Sequence, residues 1–232
     1  KRDGTIEDLN LEKVHKMVEF AVEGLAGVSA SQVEIQSGLQ FCDGIRSSDI
    51  QEILIRSASD LISEEHPNYQ YVAARLLLFG LRKAVHGHPE ILPPLLEHVK
   101  GCIDKGVYDG TIVNRYSEEE WDRIDSFVDH ERDYLFTYAG LRQVVDKYLV
   151  QDRSSGEHYE SPQQMYIMIS ATLFANYPKE TRLDYVRRYY NAISTHKINI
   201  PTPIMGGVRT PIRQFASCVL VDIDDTLDSI FS

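Results

Sequence analysis

The sequence is poor in cysteine and lacks the short signatures by which small residue sets usually announce a chemistry. Its 232 residues contain three cysteines, Cys42, Cys102 and Cys218, far apart and odd in number. That excludes a disulfide framework and any Cys-x-x-Cys zinc or redox pair, and it suits a reducing, cytoplasmic setting. No apolar run approaches the roughly 20 residues that a membrane-spanning helix needs, and no charged-apolar-small leader opens the chain. Neither GxxxxGK[ST] nor GxGxxG occurs, so neither standard phosphate loop is available, and HExxH is missing too. Basic residues are outnumbered, 24 Lys and Arg against 35 Asp and Glu, for a net charge of -11. An acidic chain argues against general nucleic-acid binding, while a few local cations remain able to hold one nucleotide. No repeat or low-complexity tract appears, and a first residue of Lys rather than Met reads as a start inside a longer frame.

What is present is an ordinary globular composition, 43% apolar and 25% charged, with helical periodicity along most of its length. Asp3-Gly4 suggests a small hairpin turn over residues 1–7. Asn10 can cap a helix with an apolar stripe of Leu11, Val14, Met17, Val18, Ala21, Val22 and Leu25. Ser31 can cap a second, weaker helix. Ser48 and Gln51 form a capping-box pattern for a third, running to about residue 62 with Ile50, Ile53, Leu54, Ala58, Leu61 and Ile62 on one face. A fourth covers residues 69–85. These make a first domain at 1–86, bounded by the proline-containing stretch 86–94. A second domain at 87–200 should hold helices over 95–105, 117–129, 138–147, 162–176 and 179–195, with a hairpin around Ser154-Ser155-Gly156.

The last part, 201–232, has a different texture. Pro201-Thr202-Pro203-Ile204-Met205 and Gly206-Gly207 read as ordered loop rather than helix, because proline restricts the backbone and glycine permits tight turns. Residues 215–223 are apolar or small on both alternating faces, as in a strand buried on both sides. Cys218 on such a strand is either a packing residue or a reagent.

Residue types that could carry chemistry are scattered. Lys1, Arg2, Lys13, Arg46 and Lys83 are cations in an acidic chain, and Lys13 lies just beyond the Asn10 cap, where a helix amino end offers loose amide donors to a phosphate. The plain alternative is a set of solvated side chains. His86-Gly87-His88 is the closest histidine pair, without a carboxylate cluster to complete a metal site. Ser117 to Glu120 reads as an acidic helix start. Asp129, His130, Glu131 and Asp133 could supply an acid and a base, against the simpler reading of a solvated face.

Several of these stretches together carry a resemblance. Lys1-Arg2-Asp3-Gly4, Asn10-Leu11-Glu12-Lys13-Val14, Asp43-Gly44-Ile45, Ser48-Asp49-Ile50, Tyr69-Gln70-Tyr71-Val72-Ala73-Ala74-Arg75-Leu76 and Leu81-Arg82-Lys83 resemble an ATP-cone. Pro201-Thr202-Pro203-Ile204-Met205 and Arg213-Gln214-Phe215-Ala216-Ser217-Cys218 resemble the approach to the catalytic barrel of the large (alpha) subunit of class I ribonucleotide reductase. The likeness runs in order through essentially the whole chain and is nearest the aerobic class Ia enzymes of gammaproteobacteria and their phages.

The resemblance implies a mainly α fold: an ATP-cone four-helix bundle with a small β-cap, a helical domain, and the first strand of a ten-stranded α/β barrel. It implies ATP as activator, or dATP as inhibitor, with magnesium, against Lys1, Arg2, Glu7, Asp8, Leu9, Asn10, Leu11, Glu12, Lys13, Ser47 and Lys83. Close relatives carry histidines where this chain has Gln51 and Gly80, so strong dATP inhibition is not assumed. Thr202 and Ser217 would contact a ribonucleoside diphosphate, Cys218 would be one of two reducing cysteines, and Asp225, Thr226 and Leu227 would begin a specificity-effector site. No metal would be held by the chain as cofactor. The family chemistry abstracts a ribose hydrogen with a thiyl radical, whose cysteine would lie beyond Ser232, so the 232 residues alone would be inactive. Implied partners are nucleotides, a radical-generating small (beta) subunit, a second alpha subunit and a thioredoxin- or glutaredoxin-type reductant. Two other readings stand beside this one: a nucleotide-sensing module without enzymatic activity, and a helical interaction domain.

Overall fold

The computed structural model describes residues 5–38 and 40–231. The expected hairpin over residues 1–7 falls largely outside them, and residues 5–10 have no regular structure. Four helices follow: α1 (Leu11–Val22), α2 (Ala30–Gly38), α3 (Ser47–Asp60) and α4 (Tyr69–His86). Asn10 caps α1 through its Oδ1, which accepts from Lys13 N at 3.0 Å. The apolar stripe of α1 is narrower than its periodicity suggests, because Val18 and Ala21 are buried while Leu11 is 64% exposed. α2 begins one residue before Ser31, and α3 begins at Ser47 behind Arg46, so neither Ser31 nor Ser48 caps. The Ser48 hydroxyl turns instead to Asp49 Oδ1, and Gln51 is drawn away to α4. Tertiary bonding has overridden a local capping pattern. Gly87, at φ 77°, closes α4 in the left-handed conformation that favours glycine.

The second unit contains α5 (Leu95–Asp104), α6 (Glu118–Asp125), α7 (Tyr138–Gln143), α8 (Pro162–Phe174) and α9 (Lys179–Ser194). Two 3₁₀ segments, Gly110–Arg115 and His130–Leu135, and a π-turn at Val144–Tyr148 lie between them. These were not anticipated, since three-residue periodicity over six residues leaves no distinct pattern. The acidic start of α6 does form, as a reciprocal capping box between Ser117 and Glu120. The hairpin is present and minimal: β1 (Gln151–Asp152) pairs antiparallel with β2 (Glu157–His158), Gln151 facing His158.

α8 is the axis of this unit. Every residue from Pro162 to Ala171 is buried. A helix without a wet face must be enclosed, and α9, residues 202–207 and the His130–Leu135 segment pack on it. Its buried polar residues are satisfied, Gln164 by a capping box with Ser161 and Gln163 by Asp133 and Tyr190.

The carboxyl-terminal part departs from expectation. Residues 202–207, read as a loop, form helix α10 (Thr202–Gly207) with Pro201 as its cap and a proline in its first turn, where no amide bond is lost. Residues 215–223 form no strand, and among the described residues the only strands are β1 and β2. Without a neighbouring strand the segment has nothing to pair with, and Val219, Leu220 and Val221 are exposed. Cys218, placed by its pattern in a buried strand, is exposed and free. A short helix, α11 (Leu227–Phe231), follows.

Three rings, His98 buried and His86 and His130 half-buried, sit where the first bundle meets the second unit. His86 ends α4, His98 lies on α5 and His130 opens a 3₁₀ segment; His86 and His98 stack edge-on at 5.6 Å. Burial pushes each ring from 6.5 down to about 4, opposed at His98 by Glu160 and at His130 by Asp129, and reinforced by Arg82 for His86 and His130 and by Lys105 for His98. Unfolded, these rings are charged below about 6.5, whereas folded they stay neutral down to about 4, so the unfolded state binds more protons across that window. Stability is therefore fully present above pH 6.5 and falls as pH drops, by at most about 1.4 kcal/mol per pH unit for each ring. Urea denaturation between pH 7 and 4.5 should show this slope, and His130→Gln should make it shallower. An unchanged slope in that variant would contradict the assignment.

Candidate functional site

The first bundle is assembled antiparallel. Arg75, in the middle of α4, donates from Nη1 to Glu23 O (2.6 Å) and Ala21 O (3.3 Å) at the carboxyl end of α1. Gln51, one turn into α3, donates from Nε2 to Leu76 O (2.7 Å) in α4. Both contacts run the amino ends of α1 and α3 toward the carboxyl end of α4. Lys13 on α1, Ser47 on α3 and Lys83 on α4 thus belong to one end of the bundle, and all three are exposed. That end combines two helix amino termini with lysine side chains, a favourable field for phosphate.

Around it, Asp8, Leu9, Leu11 and Glu12 are exposed, as is Glu7. Glu12 pairs with Lys16 at 2.8 Å, and the Asn10 side chain is engaged as the helix cap. Lys1 and Arg2 lie outside the described residues. Gln51 does more than bond Leu76: a β-carbon added at Gly80 would meet its Cγ at 3.1 Å. Gln51 and Gly80 are thus complementary in volume, the glutamine chain lying over the helix where no side chain stands.

Elsewhere the expected residues are apart from this end. Thr202 starts α10, its hydroxyl 3.4 Å from that of Tyr148. Beside Tyr148 lies a cavity of about 390 Å³, lined by Phe136, Tyr166, His196 and Met205 among others. His196 adopts φ 56° and leans on Phe136, with centroids 4.6 Å apart. Ser217 Oγ is 3.7 Å from Cys218 Sγ, both on the exposed carboxyl-terminal segment. Thr226 accepts from Ser229 N at 3.2 Å at the start of α11, with Asp225 and Leu227 exposed beside it.

Two readings of charged residues need correction. His88 Nδ1 accepts from Glu90 N and Ile91 N at 3.1 Å, while His86 faces His98, so the histidine pair does not converge. Asp133, grouped with solvated acids, is buried and receives Arg82 Nη2 at 2.8 Å. Its carboxyl is raised by that burial, against the pull of Arg82 and Gln163. Three such arginine–carboxylate pairs organise the protein: Arg82–Asp133, Arg182–Glu120 and Arg209–Glu160. None was legible beforehand, because partners 49 to 62 residues apart leave no local pattern. Arg82 alone carried a hint, as a charge within the apolar run of α4.

Residues 1–84 match the ATP cone domain family, and residues 134–213 match the ribonucleotide reductase, all-alpha domain family. The chain thus joins an ATP cone to the all-alpha domain of ribonucleotide reductases. Over 230 residues, 99% of its length, it is 56% identical to the ribonucleoside-diphosphate reductase subunit alpha of Haemophilus influenzae. It is 54% identical over 230 residues to the ribonucleoside-diphosphate reductase 1 subunit alpha of Escherichia coli, and 41% identical over 232 residues to the ribonucleoside-diphosphate reductase subunit alpha of Enterobacteria phage T4. In each case the chain spans 30% of the relative's length. An ATP cone implies binding of a nucleotide effector.

The Gln51–Gly80 contact makes a definite prediction. Gly80→Leu should overpack the α3–α4 interface and cost about 1–3 kcal/mol, and Gln51→Ala should return most of that loss in the double variant. Additive urea-unfolding energies for the two substitutions would refute the contact.

Proposed function

We propose that this chain is the amino-terminal regulatory part of a ribonucleoside-diphosphate reductase alpha subunit, with its first 84 residues sensing ATP against dATP. The observation carrying this is that identity above 50% to reductase alpha subunits continues through 230 residues, well past the cone. A free-standing sensing module would need only the cone.

In this reading, the phosphates of ATP or dATP and their magnesium ion lie at the end of the bundle formed by α1, α3 and α4. Lys13 and Lys83 neutralise phosphate charge, Ser47 adds a hydroxyl at the start of α3, and the loose amides at the start of α1, beyond the Asn10 cap, supply uncharged donors. Lys1 and Arg2 extend the cationic side, and residues 7–12 follow the nucleotide along the approach to α1. The Gln51 side chain is engaged with Leu76 O, and neither position 51 nor position 80 carries a histidine, so strong inhibition by dATP is not assumed.

The rest of the chain serves the whole enzyme. Thr202 and Ser217 hold the ribonucleoside diphosphate, and Asp225, Thr226 and Leu227 begin the site for a specificity effector. Cys218 supplies one of two thiols that reduce the ribose: the 2′ oxygen leaves as water, and the two sulfurs end as a disulfide, reset by a thioredoxin- or glutaredoxin-type dithiol. The partner thiol belongs to another part of the enzyme, since neither Cys42 nor Cys102 stands in a matching motif. The nucleotide state of the cone then governs how alpha subunits assemble with one another and with the radical-generating beta subunit, in the cytoplasm.

Calorimetric titration of the chain with ATP and with dATP tests the sensor. Heat is expected for both, and Lys13→Ala and Lys83→Ala should each weaken binding about tenfold or more, the worth of one charge-assisted phosphate contact. No heat with either nucleotide would overturn the reading.

A further inference from the structure

Lys83 and Arg82 are adjacent on the last turns of α4, and they face opposite surroundings. Lys83 is exposed at the proposed nucleotide end, while Arg82 is buried against the second unit. Arg82 Nη2 donates to Asp133 Oδ2 (2.8 Å) and to His130 O (2.7 Å), both in the His130–Leu135 segment. Its guanidinium also lies 5.7 Å from the ring centroid of Tyr134, and Phe20 of α1 meets that ring edge-on at 6.0 Å. One short 3₁₀ segment is therefore touched by both helices whose ends carry the proposed phosphate lysines.

The same segment is fastened to the amino end of α8. Asp133 Oδ1 accepts from Gln163 Nε2 at 2.9 Å, and Gln163 Oε1 accepts from Tyr190 OH at 2.7 Å. Glu160, immediately before the Ser161 cap, accepts from Arg209 Nε at 2.8 Å, with both side chains fully buried. Arg209 donates further to Met205 O (2.5 Å) in α10 and to Tyr148 O (3.0 Å), the residue whose hydroxyl meets Thr202. Polar contacts thus run from the turn bearing Lys83 to the backbone at the start of α8, and from there to the turn bearing Thr202, buried along most of the way and exposed at Thr202.

We propose that the amino end of α8 couples the nucleotide state of the bundle to α10, with Arg82, Asp133, Glu160 and Arg209 as its positioning residues; this rests on the nucleotide reading above. The physical basis is that a buried charge cannot be left unpaired. If phosphate binding turns the end of α4, Arg82 moves with Lys83, and Asp133 must follow or lose its partner. Asp133 is held by Gln163, so the start of α8 shares the displacement, and Glu160 passes it to Arg209. Arg82 Nε, His86 Nε2 and His130 Nδ1 are buried beside the ion pair without a hydrogen-bond partner among the described residues. By linkage, such coupling is reciprocal.

Hydrogen exchange of the 232-residue chain, with and without saturating ATP, tests this. In the unmodified chain ATP should slow exchange about fivefold or more, the low end of typical allosteric coupling, in peptides over residues 130–136, 160–164 and 202–210 as well as in the bundle. Gln163→Met, which keeps the Arg82–Asp133 pair but cuts the bond from Asp133 to α8, and Arg82→Lys, which keeps the charge but loses the planar guanidinium, should each bind ATP within about threefold of the unmodified chain. Both should lose the protection beyond residue 136, an outcome that lowered stability alone does not produce. Should Arg82→Lys fail to fold, the unmodified chain and Gln163→Met decide. Protection confined to residues 5–86 in the unmodified chain, or protection over residues 160–164 and 202–210 that survives in Gln163→Met, overturns the coupling while leaving the nucleotide reading intact. Absence of ATP binding removes both.

Discussion

Two carboxylates are buried at the amino end of one buried helix, and the remainder of the protein is arranged to make that tolerable. Asp133 and Glu160 sit at the start of α8, where the helix dipole favours negative charge. A dipole alone does not offset the loss of water around a carboxylate, so each is met by an arginine and by further donors. For Glu160 these are Arg209, Tyr108 OH and Val150 N. For Asp133 they are Arg82 and Gln163. The two arginines come from opposite directions in sequence, one from the last turns of the first bundle and one from just beyond α10. The ion pairs therefore determine where the flanking segments dock. Breaking such a pair typically costs about 3–5 kcal/mol, a large share of a domain's net stability.

The docking has a bearing on function because the two flanking segments carry different parts of the proposed machinery. Lys13, Ser47 and Lys83 belong to the bundle, and Thr202 belongs to α10. Burial of α8 leaves little freedom for either segment to shift alone. Its enclosing residues are close-packed, and packed interiors move between discrete arrangements rather than deforming smoothly. A nucleotide at the bundle's end has, in consequence, a rigid body to push against. At that end Lys13 and Lys83 stand among exposed carboxylates, Glu7, Asp8 and Glu12.

Most helices were legible in the sequence because each carries its own cap or period. Asn10, Ser117 and the Pro162 start of α8 read correctly, as did the ranges of α4, α5 and α9 to within a residue or two. What failed did so for tertiary reasons. Gln51 abandons a capping box for Leu76 O, and Pro201 to Met205, punctuated like a loop, forms a helix that Arg209 holds from its carboxyl side. The strand expected at residues 215–223 requires neighbours that the described residues do not supply, so Cys218 stands exposed instead of buried. In the candidate site, Lys13 and Lys83 were visible as cations in an acidic chain, but their shared end of the bundle follows from the antiparallel packing of α1 and α4. Arg82, Asp133, Glu160 and Arg209 were invisible as partners, since a long-range ion pair has no periodicity.

The neighbouring positions 82 and 83 express how one helix can serve both roles. Successive residues of an α-helix point about 100° apart, so an amphipathic helix can turn one cation to solvent and the next into the core within a single step. The exposed lysine keeps full hydration and loses little by approaching a phosphate, whereas the buried arginine, planar and always charged, is suited to a fixed fork with a carboxylate. Exchanging the two types would reverse both advantages: lysine as a compact, strongly hydrated charge is costly to bury, and arginine at the surface would carry its packing stem into water. The order Arg82-Lys83 therefore suits a helix that is anchored through one face and turns the proposed phosphate lysine to solvent on the other.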